Sequence, residues 1–321
     1  MFQGIARFLN KHNYSLNERL FNWPLDRIPL EKPIFLLGVH EAGLEVLAHI
    51  FQRHPDIAFC RGNKNFWDSS ENEMQMHLPS MPPELSLLNT PDGPRELERY
   101  WSYATDENIK DYRHEPKDAN PELSLRFQHC LKKVIRAYAI NPEHCHLVDK
   151  SHLYTIKMGF VHELLRENDP YFILMIRNPY AICPHVARLY CMRKGKGESL
   201  GYEEAVKRCA QHWRNSCCLA MADQTAVAHF TMLRAEDLIA NPEETVRDLC
   251  AYAGLSYEPS MLPAQGQTHS ILNSIKKGVW PPPQANPNAP YLKELDQLAR
   301  IIVKRECEDM AALFGYTPEG P

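Results

Sequence analysis

From Pro33 to Val39 the chain is continuously apolar (PIFLLGV), with no polar alternation. Such a run predicts a short strand buried on both faces, as in a parallel sheet. The turn His40-Glu41-Ala42-Gly43 follows, and then Leu44, Val46, Leu47, Ile50 and Phe51 recur at helical spacing up to His54-Pro55. The first unit therefore reads strand, tight turn, helix. Further apolar runs predict strands at His146–Val148, Tyr171–Ile176 and Ala226–Leu233. Helical periodicity predicts helices over Leu125–Ala139, Leu153–Glu167, Ala181–Met192, Tyr202–Asp223, Pro242–Gly254 and Leu292–Phe314. Strands alternating with helices predict an α/β fold with a central parallel sheet and helices on both faces. Residues 68–125, rich in proline and charge, read as an irregular, lid-like insertion with helical pieces near Arg95–Ala104. We expect a lead-in over residues 1–32 and one domain over 33–321. In the lead-in, Phe2, Ile5, Phe8 and Leu9 share one helical face opposite Arg7 and Lys11. That helix and the Pro-rich insertion are the places where a protein partner is expected. Pro184 is expected to kink the helix it falls in.

Composition changes this picture little. The chain has 321 residues, 44% hydrophobic and 24% charged, with a net charge of −4. It lacks the basic excess of a nucleic-acid binder, an apolar run long enough to span a membrane and the core of a signal peptide. The ten cysteines include no CxxC pair, and several fall in helical patterns, where a free thiol behaves as a small apolar residue. A reducing, cytoplasmic setting fits this usage. His144-Cys145-His146 lacks zinc-site spacing and precedes a strand, so no metal is expected.

A strand, a Gly-containing turn and a helix make an anion site, because backbone N–H groups and the helix dipole converge there. The segment Pro33–Ile57 resembles the donor loop of the sulfotransferase family, a branch of the P-loop NTPase-like folds. That loop typically reads Gly-x-x-Arg-Ser-Gly-Thr-Thr-Leu-Leu, followed by a helix and His-Pro. Gly38, Gly43, Leu47, His54 and Pro55 match. The resemblance runs from about Pro33 to Tyr316 and is nearest the protein-tyrosine and bacterial branch. It implies phosphoadenosine phosphosulfate (PAPS) as the sulfuryl donor, with Gly43 at the phosphosulfate. Arg177-Asn178-Pro179 and Arg188 resemble the family's second donor signature, in which Arg177, His185 at the usual Ser position, and Arg188 would hold the nucleotide 3′-phosphate. Two arginine forks suit phosphate; the plainer reading of either alone is a surface salt bridge. Val148-Asp149-Lys150-Ser151 resembles the strand-end motif whose Lys steadies the leaving oxygen in transfer, which makes Lys150 the catalytic candidate. Leu233–Leu238, Asn241-Pro242 and the C-terminal Phe314-Gly315-Tyr316 also resemble the family.

The departures fall on the chemistry. Glu41 stands at the Arg position, Ala42 at Ser, and Leu44 and Glu45 at the two Thr. Asn63 occupies the position of the base, and an amide cannot take a proton. His40 and His152 are the nearby groups able to stand in. Carboxylates at a helix start oppose a dianionic ligand, although the helix itself favours them. Two functions remain open: a sulfotransferase-like protein with lost or strongly reduced transfer, serving as a binding, assembly or regulatory subunit, or an active PAPS-dependent enzyme with a rearranged site. On the first reading no cofactor is required. We also expect Glu41 or Glu45 to pair with Lys150, Arg177 or Arg188 and so replace the missing donor charge.

Overall fold

The computed structural model describes residues 25–59, 81–87, 89–90, 93–94, 100–192, 200–262 and 286–320. Five strands form one parallel sheet: β1 (Ile34–Gly38), β2 (Ile57–Phe59), β3 (His146–Lys150), β4 (Tyr171–Ile176) and β5 (His229–Arg234). Their order is β2-β3-β1-β4-β5. β1 thus sits centrally, and the chain passes from β3 across β1 to β4. This puts the switch point of the sheet at the carboxyl end of β1, where ligands of open α/β sheets gather.

The continuous apolar runs are explained by two cores. Ile34 and Leu36 of β1 face one of them, with Ile173 and Met175 of β4. Helices α1 (Leu44–Gln52), α6 (Ala235–Ala240) and α7 (Pro242–Tyr252) cover that face. Phe35 and Leu37 face the other core, with Phe172 and Leu174. It is covered by α2 (Pro121–Tyr138), α3 (Met158–Leu164), α4 (Pro179–Met192), α5 (Tyr202–Asp223) and α8 (Gln297–Leu313). Phe35 and Phe172 stack with centroids 5.4 Å apart, and Tyr154 meets Phe35 edge-on.

Several expected boundaries move. The three-residue strand β2 was hidden behind the His54-Pro55 turn, and β3 continues through Asp149 and Lys150. β5 starts at His229, because Gln224–Ala226 is a 3₁₀ turn. The expected helix Leu153–Glu167 is three pieces, broken at Lys157, which has φ −145° and ψ 33°. The last helix breaks into the turn Ala289–Leu292 and α8, because the Asp296 side chain accepts from Ala299 N and starts a new helix. α4 begins at Pro179 and continues through Pro184. Asn120 caps α2 with Pro121 at its first position, an ordinary start signal that lies before the apolar periodicity. The expected N-terminal helix lies outside the described residues.

The described residues between β2 and α2 form short 3₁₀ turns, one helical turn and a two-stranded ladder. Met81, Leu85, Leu87, Tyr103 and Tyr112 lie in the same core as Phe35. Polar anchors fix them. Arg113 forms a double-pronged ion pair with Asp223 at the end of α5, at 2.6 and 2.8 Å, and donates to the Ile156 carbonyl. Lys157, 1% exposed, donates to the Glu84 carbonyl at 2.9 Å and lies 3.5 Å from His114 Nδ1.

Burial above all, and then the Arg113 guanidinium, push the Lys157 amine down to about 7. The folded state therefore disfavours its ammonium form. That penalty is full below about pH 7 and is relieved as pH rises toward the ordinary lysine value. Lys157 should make stability rise by roughly 1–2 kcal/mol between pH 7 and 8.5. Urea unfolding at the two pH values should show this increment in the wild type and lose it in Lys157→Met; an equal increment in both would refute the assignment.

Candidate functional site

The loop from Val39 to Gly43 joins β1 to α1 at the switch point. Two residues take left-handed backbone: Glu41 with φ 60° and Gly43 with φ 93°. A Cβ at Gly43 would lie 3.1 Å from Met175 Cε, and one at Gly38 only 2.6 Å from the Met175 carbonyl oxygen. Both glycines are thus set by the close approach of β4. Thr155 ties the base of the loop down: it receives the Gly38 N–H at 2.9 Å and returns its hydroxyl to the Gly38 carbonyl at 3.2 Å. Ala42 is fully buried and Leu44 is 2% exposed. Neither carries a hydroxyl.

Glu45 is in the first turn of α1, where the helix dipole favours a carboxylate. It forms an ion pair with the ammonium of Lys150, whose side chain is 0% exposed while that of Glu45 is 21% exposed. The expected internal neutralisation is therefore found between Glu45 and Lys150. Glu41 contributes differently: its side chain is exposed, and its backbone carbonyl accepts Arg177 Nη1 at 3.1 Å. Beside Lys150, Asp149 is 2% exposed, and its carboxylate accepts the Ser151 hydroxyl. Burial pushes the Asp149 carboxyl up to about 7.

The two arginines of the second motif also have internal partners. Arg177 donates through Nε to Asn288 Oδ1 at 2.8 Å and lies 4.9 Å from the Tyr291 ring centre. Tyr291 meets His185 edge-on at 4.8 Å. Burial foremost holds the His185 imidazole below its ordinary range; Arg177 and Arg188 act in the same direction and Glu41 opposes them. Arg188 donates to the Glu294 carbonyl and lies 3.1 Å from Asp296 Oδ2, which also accepts the Tyr202 hydroxyl at 2.7 Å. Asn288 is anchored in turn by the buried Glu236, which also receives Asn178 N at 3.2 Å and the Tyr316 hydroxyl at 2.9 Å.

The structure thus brings Gly43, Glu45 and Lys150 together, and groups Arg177 with His185. Arg188 is turned to the start of α8. Sequence reasoning missed Asn288, Tyr291, Glu294 and Asp296, because the arginines they meet lie more than a hundred residues away. Asn63 lies outside the described residues. No group of three metal-ligating side chains is found among the described residues.

The parallel sheet order and the loop at its switch point define a P-loop-like α/β fold. The model of the sulfotransferase family matches residues 33–259, and the chain belongs to that family. A sulfotransferase from Mycobacterium avium is similar in structure, with a TM-score of 0.57 at 14% identity over 99% of this chain and 85% of that one. The sulfotransferase domain of the Synechococcus PCC 7002 olefin synthase has a TM-score of 0.50 at 14% identity, covering 88% and 95%. A sulfotransferase from Mycobacterium tuberculosis H37Rv has a TM-score of 0.50 at 16% identity, covering 81% and 76%. No curated protein matches the chain by sequence. Among the described residues no helix is long and apolar enough to cross a membrane.

Proposed function

We propose that this chain is a sulfotransferase-family protein whose donor seat is filled by its own side chains, so that sulfuryl transfer is lost or strongly reduced and the protein serves as a binding, assembly or regulatory subunit. One observation carries this reading: the Glu45 carboxylate occupies the buried Lys150 ammonium. The residues present do not fit a phosphosulfate. Ala42 and Leu44 offer no hydroxyls, Glu45 brings like charge, and Arg177 and Arg188 already have partners in Asn288, the Glu41 carbonyl and Asp296. A ligand arriving there must displace these contacts and face an acid, which costs several kcal/mol in affinity. The described cysteines are all free and mostly buried, which supports a reducing, cytoplasmic setting.

A second reading, an active PAPS-dependent enzyme, is favoured by the retention of Lys150 and Arg177 at one sheet edge, with Arg188 further along α4. Calorimetric titration with PAPS and with adenosine 3′,5′-bisphosphate at physiological salt separates the two. We expect dissociation constants weaker than about 100 μM, near the lower limit of useful affinity. A sub-micromolar constant would sink the first reading.

A further inference from the structure

Behind the donor loop lies a row of three imidazoles, each from a different element. His40 belongs to the loop, His152 follows β3, and His212 is on α5. The ring centroids of His40 and His152 are 4.5 Å apart, and those of His40 and His212 are 5.3 Å apart. All three residues are buried, at 8, 5 and 3% exposure. Tyr103 meets His212 edge-on at 5.4 Å. His40 and His212 also line a cavity with room for about one water, together with Cys183 of α4, Cys209 of α5 and Trp213.

Neutral imidazoles pack in such a row as ordinary aromatic rings. Protonated ones repel each other across these distances. The charged group of β3 that faces them is the Lys150 ammonium, of their own sign and partly offset by Glu45 of α1. Burial above all pushes the neighbouring Cys183 thiol well above its ordinary range.

We propose that this row is an acid-sensitive latch on the donor loop: neutral imidazoles hold residues 39–43 against the sheet edge, and protonation releases them. The loop is the element that yields. His152 follows a strand paired on both sides, and His212 sits in a long core helix. His40 sits instead in a five-residue connection that already holds two left-handed backbone positions. The chemistry has the matching sign. Burial first, then the neighbouring cations, holds His40 and His152 well below the ordinary imidazole range. Their contribution to stability is therefore whole above about pH 6.5 and is lost as pH falls through that value toward the folded-state one. The latch acts whether or not PAPS binds, so the titration at neutral pH and the test below fail independently.

Hydrogen exchange read by mass spectrometry on the full chain, at pH 7.5 and pH 5.0 and corrected for intrinsic rates, tests it. Peptides covering residues 39–43 should exchange at least about tenfold faster at pH 5.0, while those covering β4 keep their protection. His152→Gln and His212→Gln should each shrink the acid effect. Equal loop protection at both pH values, an increase spread equally over β4, or an undiminished increase in the variants overturns the latch. Should the variants fail to fold, exchange at the histidine C2 positions of the wild type decides: midpoints of His40 and His152 below about pH 5.5 support it, and midpoints at or above 6.5 overturn it.

Discussion

Glu45→Ala is expected to destabilise the protein by about 3 kcal/mol at neutral pH. Lys150 is completely buried, and Glu45 is its ion-pair partner on α1. Removing the carboxylate leaves an ammonium that must stay charged without it, shed its proton or draw in water, and each outcome raises the energy of the folded state. The helix also loses an acid from its first turn, a smaller effect. In thermal unfolding the midpoint should fall by roughly 4–5 °C. An added anion should restore part of the loss, because binding to the folded form alone stabilises by mass action. Sulfate or pyrophosphate should therefore raise the midpoint of Glu45→Ala more than that of the wild type. A variant as stable as the parent, with no anion effect, would mean that Lys150 finds equal compensation elsewhere.

Asp223→Ala should cost about 3–5 kcal/mol. Asp223 and Arg113 are nearly buried, with side chains 6% and 17% exposed, and they meet through two hydrogen bonds. The same carboxylate also receives the Gly159 N–H at 2.9 Å. The substitution thus strands a guanidinium and a backbone donor together. Its effect should concentrate where Arg113 enters, in the segment that carries Tyr103 and Tyr112 into the core. Chemical denaturation should give the loss, and limited proteolysis should cut first between β2 and α2. A loss under 1 kcal/mol would show the pair to be dispensable.

The sheet was legible in the sequence because strands buried on both faces have to be apolar without alternation. Ile34–Leu37 and Tyr171–Ile176 satisfy that rule, and both sit centrally in the sheet. β2 was not legible, since three residues carry no period. The break at Lys157 was also hidden, because helical spacing continues across it and only the tertiary pull of Glu84 on the amine marks the site. At the candidate site, Lys150, Arg177 and the carboxylates could be named from motifs, and pairing of a basic group with an acid followed from charge. That Glu45 rather than Glu41 supplies the acid depends on backbone geometry: the left-handed turn at Glu41 sends its carbonyl toward Arg177 and leaves its side chain exposed. The histidine row could not be foreseen, because His212 is brought to His40 only by the packing of α5.

The central claim is that the Glu45 carboxylate stands in for donor charge at Lys150. Titration of wild type and Glu45→Thr side by side with adenosine 3′,5′-bisphosphate and with PAPS, at fixed salt, tests it most directly. The substitution removes the Glu45 carboxylate from the Lys150 ammonium and adds a hydroxyl acceptor and donor at the start of α1. The account predicts that Glu45→Thr binds PAPS at least about tenfold more tightly than the wild type, a gain near 1.4 kcal/mol. The gain should be smaller for the bisphosphate, which lacks the sulfuryl group. Equal PAPS affinity in a folded Glu45→Thr variant would contradict it.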